Sequence, residues 1–453
     1  MSRISYLSEL LSSVFVRQEQ SSLAEPTGSF VELCDALLSQ RGEMSGNRLA
    51  GGLFSRFAKA EPEEQLAFFK MLLSRFDINA EHAVRAAQRY ADDKTADGLT
   101  ILIDSVEPRR QELFRRLNRL PGATNELVKM RALLLSACRQ EPDLRRIDVD
   151  FQHLFRSWFN QGFLVLREID WHSPANILEK IIAYEAVHEI SSWSDLRGRL
   201  QPSDRRCFAF FHPSMLDEPL IFVEVALTNE RPETIAGVLE SDREIIAEND
   251  ATMAVFYSIS NCQKGLAGVS FGNFLIKQVA KELSAQLPNL TSFRTLSPVP
   301  GLSRWIDSQL EAHSPRDSDL DSPASDAHAL LEHLRIAKRV SEQLKESTDL
   351  HELEQLQLLV AHFLTLEKRE DLQPLDPVAR FHLGNGASLD AVLPGADMSE
   401  KGLRQSSSVM VSYLYDLEKI EENHEAYANE REVITSSVIS ALFNRPRRAR
   451  KRA

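Results

Sequence analysis

The sequence predicts an α+β protein of two domains, in which an all-α helical bundle precedes a mixed-sheet domain. In the first 150 residues apolar positions recur every three to four residues, the period of an amphipathic helix, and alternating strand patterns are almost missing. From about residue 150 onward, short runs rich in aromatic and β-branched residues predict strands. At roughly 150 residues per domain, the 453-residue chain has room for two to three domains.

Three segments show the helical pattern of the first part. Residues 63–76 carry apolar side chains at spacings of 3, 4 and 3, which places them on one helix face. Residues 112–120 repeat this pattern until Pro121-Gly122 ends it. A third helix is predicted over residues 125–138, with Asn125 as its N-cap.

Composition excludes several functional classes. The net charge of −13 argues against general nucleic-acid binding, which needs a basic surface to neutralise phosphates. The four cysteines are far apart and form no C-x-x-C pair, which argues against a disulfide framework and against a thiolate zinc site. No apolar run reaches the ~18 residues of a membrane-spanning helix, and the N-terminus has no secretory signal pattern. These observations predict a protein of the reducing cytosol.

The second part begins with three predicted strands. Residues 207–211 and 219–228 are strand-like and are joined by a polar stretch, which predicts a hairpin. Residues 252–260 form a nearly continuous apolar run, which is typical of a central strand buried on both faces.

Further elements follow these strands. We expect helices over residues 274–287 and 430–443 and strands over residues 291–296, 387–392 and 407–415. An acidic stretch rich in serine and proline over residues 313–327 predicts a loop. The basic tail at 445–452 is expected to be a disordered solubilising segment rather than a nucleic-acid site.

The most informative block for chemistry is a glycine-rich loop before a helix. Gly265, Gly268 and Gly272 precede the helix predicted from residue 274. Glycine lets a backbone approach a ligand closely, and a helix N-terminus offers free N–H groups, so the loop suits a pyrophosphate. Ser270 and Asn273 are available as caps or extra donors. The spacing matches neither G-x-G-x-x-G nor a Walker loop, and a tight structural turn explains the glycines about as well.

Ser297 lies in the motif L-S-P-V-P-G directly after a predicted strand. The two prolines fix the backbone beside it, so its hydroxyl is presented at a rigid strand exit, where functional side chains often lie. The alternative is a serine that only completes a turn.

His382 lies between two apolar residues in the motif F-H-L-G-N-G. Its ordinary pKa near neutrality makes it the best general acid that the sequence offers. The alternative is a structural histidine. No H-x-x-x-H or H-E-x-x-H pair is present, so a metal site is not expected.

Together these elements closely resemble the malonyl-CoA decarboxylase family over roughly residues 145–440. The resemblance is carried by six motifs in order: W-H-S-P at 171–174, E-P-L-I-F-V-E-V-A-L-T at 218–228, F-Y-S-I-S at 256–260, Q-K-G-L-A-G-V-S-F-G-N-F-L-I-K at 263–277, L-S-P-V-P-G at 296–301 and F-H-L-G-N-G at 381–386. Each motif alone is a modest match, whereas their order is highly specific.

The resemblance implies a helical oligomerisation domain over residues 1–150 and a catalytic domain of the acetyltransferase (GNAT) fold over residues 151–453. The family's catalytic serine and histidine match Ser297 and His382. Its malonyl-CoA-binding stretch matches a continuous segment of the glycine-rich loop: Ala267, Gly268, Val269, Ser270, Phe271, Gly272 and Asn273. The chain has neither the peroxisomal tripeptide nor the mitochondrial leader of animal members, so a bacterial, cytoplasmic member is expected.

The resemblance also implies a reaction, the decarboxylation of malonyl-CoA to acetyl-CoA and CO2 through a thioester enolate. Ser297 would orient the malonyl group or act as a base, and His382 would protonate the enolate. No cofactor and no metal are expected, because coenzyme A is part of the substrate. The expected partners are malonyl-CoA and further copies of the chain, as a dimer or tetramer, and neither nucleic acid nor a membrane. The alternatives are an acyltransferase of the same fold and a non-catalytic acyl-CoA-binding protein.

Overall fold

A computed structural model describes residues 28–39, 42–269, 275–312, 334–335 and 350–444. The described chain forms two compact units. The first comprises the residues up to Val165, together with Phe211–Glu218 and the turn that starts at Gln263. The second comprises Leu166–Phe210, Pro219–Cys262 and the described residues beyond position 274. The predicted acidic loop at 313–327 and the basic tail at 445–452 lie outside the described residues.

The first unit is helical, as the sequence predicts. Its helices bury phenylalanine rings against one another, for example Phe57 on Phe68 and Phe114 on Phe151, with ring centroids 5.2 and 4.2 Å apart. Asn125 lies inside a helix, and the N-cap is Gly122 in a left-handed conformation, so the predicted cap is wrong. The helices are α1 (Phe30–Leu38), α2 (Glu43–Lys59), α3 (Pro62–Arg75), α4 (Ala80–Asp92), α5 (Ala96–Val106), α6 (Arg109–Leu117), α7 (Ala123–Ala137) and α8 (Arg145–Trp158).

The core of the second unit is an eight-stranded mixed sheet, and the predicted order of a helical region followed by a mixed-sheet domain is confirmed. Strand order is β1-β2-β3-β4-β5-β8-β6, and β7 pairs with β8. The β4–β5 pair is parallel, whereas β2–β3, β3–β4 and all pairs of β8 are antiparallel. The strands are β1 (Val165–Glu168), β2 (Arg205–Phe211), β3 (Ile221–Thr228), β4 (Met253–Asn261), β5 (Ser292–Thr295), β6 (Ser297–Pro298), β7 (Ser388–Leu393) and β8 (Met410–Leu414).

Helices pack around this sheet, which explains why β3 and β4 are buried along nearly their whole length. The predicted hairpin and the predicted central strand are confirmed. The predicted helix over residues 430–443 is wrong in its first half, because one helix ends at Glu430 and the next begins at Ser437. The helices are α9 (Ala175–Tyr184), α10 (Trp193–Leu200), α11 (Ile235–Leu239), α12 (Leu275–Gln286), α13 (Leu302–Ala312), α14 (Leu350–Thr365), α15 (Pro377–Gly384), α16 (Glu400–Ser406), α17 (Ile420–Glu430) and α18 (Ser437–Asn444).

The sheet opens between β4 and β5. The parallel ladder of these strands ends at Phe256 and Thr295, and a last hydrogen bond of 3.0 Å joins the Leu296 N–H to the Phe256 carbonyl. The next residue, Ser297, pairs with β8 instead. On β4 the register with β3 shifts at this point, which leaves Tyr257 as the extra residue of a β-bulge. Within the described part of the chain, no helix is long and apolar enough to cross a lipid bilayer.

Candidate active site

Ser297 lies where β5 gives way to β6, and the polypeptide there is fixed on several sides. The Val299 N–H donates to the Ser406 hydroxyl at 3.1 Å. The Ser297 hydroxyl donates to Thr295 Oγ1 at 2.9 Å, and Thr295 Oγ1 also accepts the Tyr413 N–H at 3.0 Å. Ser297 is 5% exposed. The sequence therefore predicted the rigid strand exit correctly.

His382 lies in the last turn of α15. The helix begins after Asp376, whose carboxylate accepts the Ala379 N–H at 2.7 Å, and Pro377 occupies its first turn. It ends at Asn385, and Gly386 follows with φ +80. A Cβ at Gly386 would lie 2.0 Å from the Ile420 carbonyl oxygen, so only glycine fits there. These constraints fix the turn of helix from which the imidazole projects.

The fold brings Ser297 and His382 together, although 85 positions separate them in the sequence. Ser297 Oγ lies 3.0 Å from His382 Nε2. The other ring nitrogen, Nδ1, lies 2.8 Å from the Tyr415 hydroxyl. The imidazole also stacks on the Tyr413 ring, with centroids 4.5 Å apart and an interplanar angle of 22°. Serine, histidine and tyrosine thus form one continuous hydrogen-bonded chain.

The partners of Ser297 and Tyr415 indicate where the imidazole proton lies. Burial raises the pKa of Tyr415 well above its usual value, so its hydroxyl stays protonated and can donate to Nδ1 of His382. The Ser297 hydroxyl gives its own hydrogen to Thr295, so its oxygen accepts from Nε2 of His382. The proton of the neutral ring is then on Nε2, directed at the Ser297 oxygen.

His382 carries no charge in the free protein. The side chain is 2% exposed, and burial lowers its pKa to about 3. The sequence-based expectation of a pKa near neutrality is therefore wrong, because it assumed a solvated imidazole. Protonation of this ring requires a negative charge beside it.

The glycine-rich loop is described only in part. Gly265 packs against α7: a Cβ there would lie 1.9 Å from the Val128 carbonyl oxygen, and its own carbonyl accepts Arg131 Nη1 at 2.6 Å. Gly268 has φ +76 in open space, which fits an exposed turn. Packing and turn geometry thus account for both glycines without a ligand.

The structure describes only part of the predicted malonyl-CoA-binding stretch. Ala267 and Gly268 are exposed and Val269 is buried. Ser270, Phe271, Gly272 and Asn273 lie outside the described residues. Their binding role remains a prediction.

Sequence reasoning missed three residues of the site: Thr295, Tyr413 and Tyr415. Two of them carried a usable signal, because Tyr413 and Tyr415 are two positions apart on a predicted strand and so share a sheet face. Nothing local showed that this face packs on His382. In the part of the chain that is described, no three His, Cys, Asp or Glu side chains are grouped so that they could hold a metal ion.

Comparison with known proteins gives consistent matches along the chain. Residues 162–453 match the family described as the malonyl-CoA decarboxylase C-terminal domain, and residues 76–159 match the corresponding N-terminal domain. The mitochondrial malonyl-CoA decarboxylase of Mus musculus is 36% identical over 354 residues, which cover 75% of this chain and 72% of that protein.

Solved structures give the same result. The crystal structure of malonyl-CoA decarboxylase from Rhodopseudomonas palustris is 48% identical with a TM-score of 0.82, and the match covers 91% of this chain and 98% of that one. The enzyme from Agrobacterium vitis has the same identity and TM-score, with 91% and 99% covered.

Proposed function

The chain belongs to the malonyl-CoA decarboxylase family, and we propose that it releases CO2 from malonyl-CoA through a thioester enolate, with Ser297 and His382 as the catalytic pair. As a member of this family it is an enzyme, a carboxy-lyase acting on malonyl-CoA. The observation that carries the assignment of residues is the 3.0 Å contact between Ser297 Oγ and His382 Nε2 beside the opening of the sheet.

The reaction requires three things of the protein. The bond between the α-carbon and the carboxylate breaks, CO2 leaves, and the electron pair moves into the thioester carbonyl as an enolate. Fixed hydrogen-bond donors must stabilise the developing charge on the thioester oxygen, and a proton must then reach the α-carbon. The thioester itself accepts the electrons, so the proposal needs no further group.

Ser297 supplies the hydroxyl donor of the site. In the free protein this hydroxyl donates to Thr295, and the ring N–H of His382 points at its oxygen. When substrate binds, the hydroxyl turns from Thr295 to the malonyl group and orients it. Thr295 then keeps the Tyr413 N–H as its partner.

His382 supplies the proton. In the free protein its pKa is about 3 because the ring is buried without a countercharge. The malonyl carboxylate brings a negative charge into the site, which raises that pKa, so the ring takes up a proton together with the substrate. Tyr415 accepts from the protonated ring, because a hydroxyl can reverse from donor to acceptor. When the carboxylate leaves as CO2, the proton passes to the α-carbon.

The test is turnover of malonyl-CoA by the full chain and by two variants. We expect His382→Asn and Ser297→Ala each to lower kcat by about 10²–10⁴-fold with little change in KM, because each removes a group used only in the chemical step. His172→Asn is the matched control, since the His172 side chain is 92% exposed. Acetyl-CoA and CO2 should form without any acceptor amine.

Three results would contradict the proposal. Wild-type turnover by His382→Asn would remove this histidine from the mechanism. Acyl transfer to an added amine without CO2 release would indicate an acyltransferase, and binding of malonyl-CoA without turnover would indicate a sensor.

A further inference from the structure

The end of β4 beyond its bulge is held by side chains rather than by β5. Glu185, directly after α9, accepts hydrogen bonds from four groups, one of which, the Ser258 hydroxyl, lies between both carboxylate oxygens. Its Oε1 accepts the Val187 N–H at 2.8 Å, the His188 N–H at 2.7 Å and the Ser258 hydroxyl at 2.8 Å. Its Oε2 accepts the hydroxyls of Ser258 at 2.8 Å and Ser260 at 3.1 Å. One carboxylate thus connects its own loop to two serines of β4.

The same loop is fixed from both sides. The Ala186 N–H donates to the Ser260 hydroxyl at 3.1 Å, which adds a further hydrogen bond between the loop and β4. The buried ring of His188 lies close to the carbonyl of Tyr257, the residue of the bulge. From α16, Lys401 Nζ donates to the Ala186 carbonyl and, at 2.9 Å, to the Val187 carbonyl. The loop is therefore a rigid support for residues 257–260 of β4.

The support matters because residues 257–260 lie beside the opening between β4 and β5. The backbone pairing of β4 with β5 ends at Phe256. Ser297 begins β6, the next strand after β5, and β6 pairs with β8. Ser258 and Ser260 thus lie on the part of β4 that has left β5, next to the site of Ser297 and His382. This part of β4 still pairs with β3, so only its backbone N–H groups that face away from β3 remain as hydrogen-bond donors, and these are effective for an oxyanion only when they are fixed.

We propose that Glu185 is a positioning residue of the decarboxylation, which fixes the backbone of β4 beyond Phe256 through Ser258 and Ser260 so that its N–H groups receive the thioester oxygen. The inference rests on the proposed function, because it presupposes an enolate oxygen formed beside Ser297. A carboxylate suits this task because it only accepts hydrogen bonds, and all four of its partners donate.

The test compares Glu185→Gln with Glu189→Gln in the full chain. Glu189 is an exposed carboxylate four positions further along, so the control makes the same chemical change outside the network. In Glu185→Gln the side-chain amide N–H faces a hydrogen-bond donor, where the carboxylate oxygen of the wild type accepts. We therefore expect the end of β4 to shift. We expect kcat of the folded protein to fall about 10–100-fold, because a small misplacement of catalytic groups has effects of this size. The Kd of free CoA should change less than about twofold, since CoA lacks the acyl oxygen that the strand receives.

Ser258→Ala and Ser260→Ala are the second pair of variants, because each removes one hydroxyl without adding a donor. We expect Ser258→Ala to lower kcat about 3–10-fold and Ser260→Ala to lower it less, because the Ser258 hydroxyl lies 2.8 Å from both carboxylate oxygens whereas that of Ser260 lies 3.1 Å from one. If Glu185→Gln does not fold, the kcat values of Ser258→Ala and Ser260→Ala test the inference in its place.

A kcat of folded Glu185→Gln equal to that of Glu189→Gln would overturn the inference. Serine variants with wild-type kcat and a lowered melting temperature would also overturn it, since the network would then act on stability alone. Failure of the proposed function has a different signature, because His382→Asn would then keep wild-type turnover whatever the Glu185 variants do.

Discussion

At the scale of single residues, the hydroxyl of Tyr415 determines which nitrogen of His382 carries the proton. It lies 2.8 Å from Nδ1, and the Ser297 hydroxyl gives its own hydrogen to Thr295. Nε2 is thereby left to donate toward Ser297. Histidines in active sites often depend on a partner of this kind, because the group on one nitrogen fixes the tautomer and orientation of the whole ring.

Tyr415→Phe should therefore weaken the chemistry more than the fold. We expect kcat to fall about tenfold with KM nearly unchanged, because the ring keeps its place but loses the group that orients it. ¹⁵N NMR of labelled histidine should show His382 as the Nε2–H tautomer in the wild type and as a mixture in the variant. Tyr427→Phe on α17 is the control and should keep wild-type kcat. A wild-type kcat in Tyr415→Phe would contradict this role.

At the scale of secondary structure, the strands of the second unit follow from local pattern. Residues 207–211, 219–228 and 252–260 were predicted as strands, and the structure forms Arg205–Phe211, Ile221–Thr228 and Met253–Asn261. Apolar runs of this length bury well only in a covered sheet, so the signal lies within each segment.

The rest of the site depends on tertiary contacts that a local pattern does not contain. Burial of His382 lowers its pKa, yet the residues that bury it come from β8, more than thirty positions away. The sequence left open whether Gly265 serves a ligand or a tight turn, and the structure shows that it packs on the Val128 carbonyl of α7, in a distant part of the sequence. The motifs identified Ser297 and His382, but only the fold shows that they touch.

The start of α15 gives a prediction about stability. Asp376 caps this helix while 1% exposed, and burial raises its pKa from 3.8 to about 6. A carboxyl whose pKa is higher in the folded than in the unfolded state stabilises the fold at low pH, and this contribution is lost as the pH rises through 6. At neutral pH the cap is therefore weaker than a neutral side chain of the same shape.

Asp376→Asn keeps a good cap and removes the ionisation. We expect it to raise the free energy of unfolding at pH 8 by on the order of 1–3 kcal/mol, and to change it little at pH 4. Asp376→Ala loses the cap and should cost about 1 kcal/mol at pH 4. Chemical denaturation at both pH values measures these differences. An Asn variant that is less stable than wild type at pH 8 would contradict the effect of burial.

At the scale of the whole molecule, we propose that exposed apolar side chains of the helical unit mediate self-association. Val84 on α4 and Ile103 and Val106 on α5 are 56%, 54% and 49% exposed. The helices α4 and α5 are joined by a short turn and pack side by side. Three large apolar side chains exposed on neighbouring helices favour burial against a second copy of the chain.

Replacing Val84 and Ile103 together by Lys should therefore reduce the molar mass in solution. We expect light scattering after size exclusion to show an oligomer for the wild type and a smaller species for the double variant. Val149→Lys is the control, because Val149 is 64% exposed on a different helix, α8. An unchanged mass of the double variant would place self-association elsewhere.

In the proposed mechanism, two distant segments of the chain act as one group. Ser297 comes from the strand that leaves β4, and His382 comes from a helix packed on β8. Residues that act in the same step lose their effect together, because once one is gone the other has no partner to work with.

The most direct measurement is kcat of the double variant Ser297→Ala/His382→Asn with malonyl-CoA, compared with both single variants. If the pair acts as one unit, the double variant should be within about threefold of the slower single variant. A double variant whose loss equals the product of the two single losses would show that the two side chains act independently, and would contradict the catalytic pair.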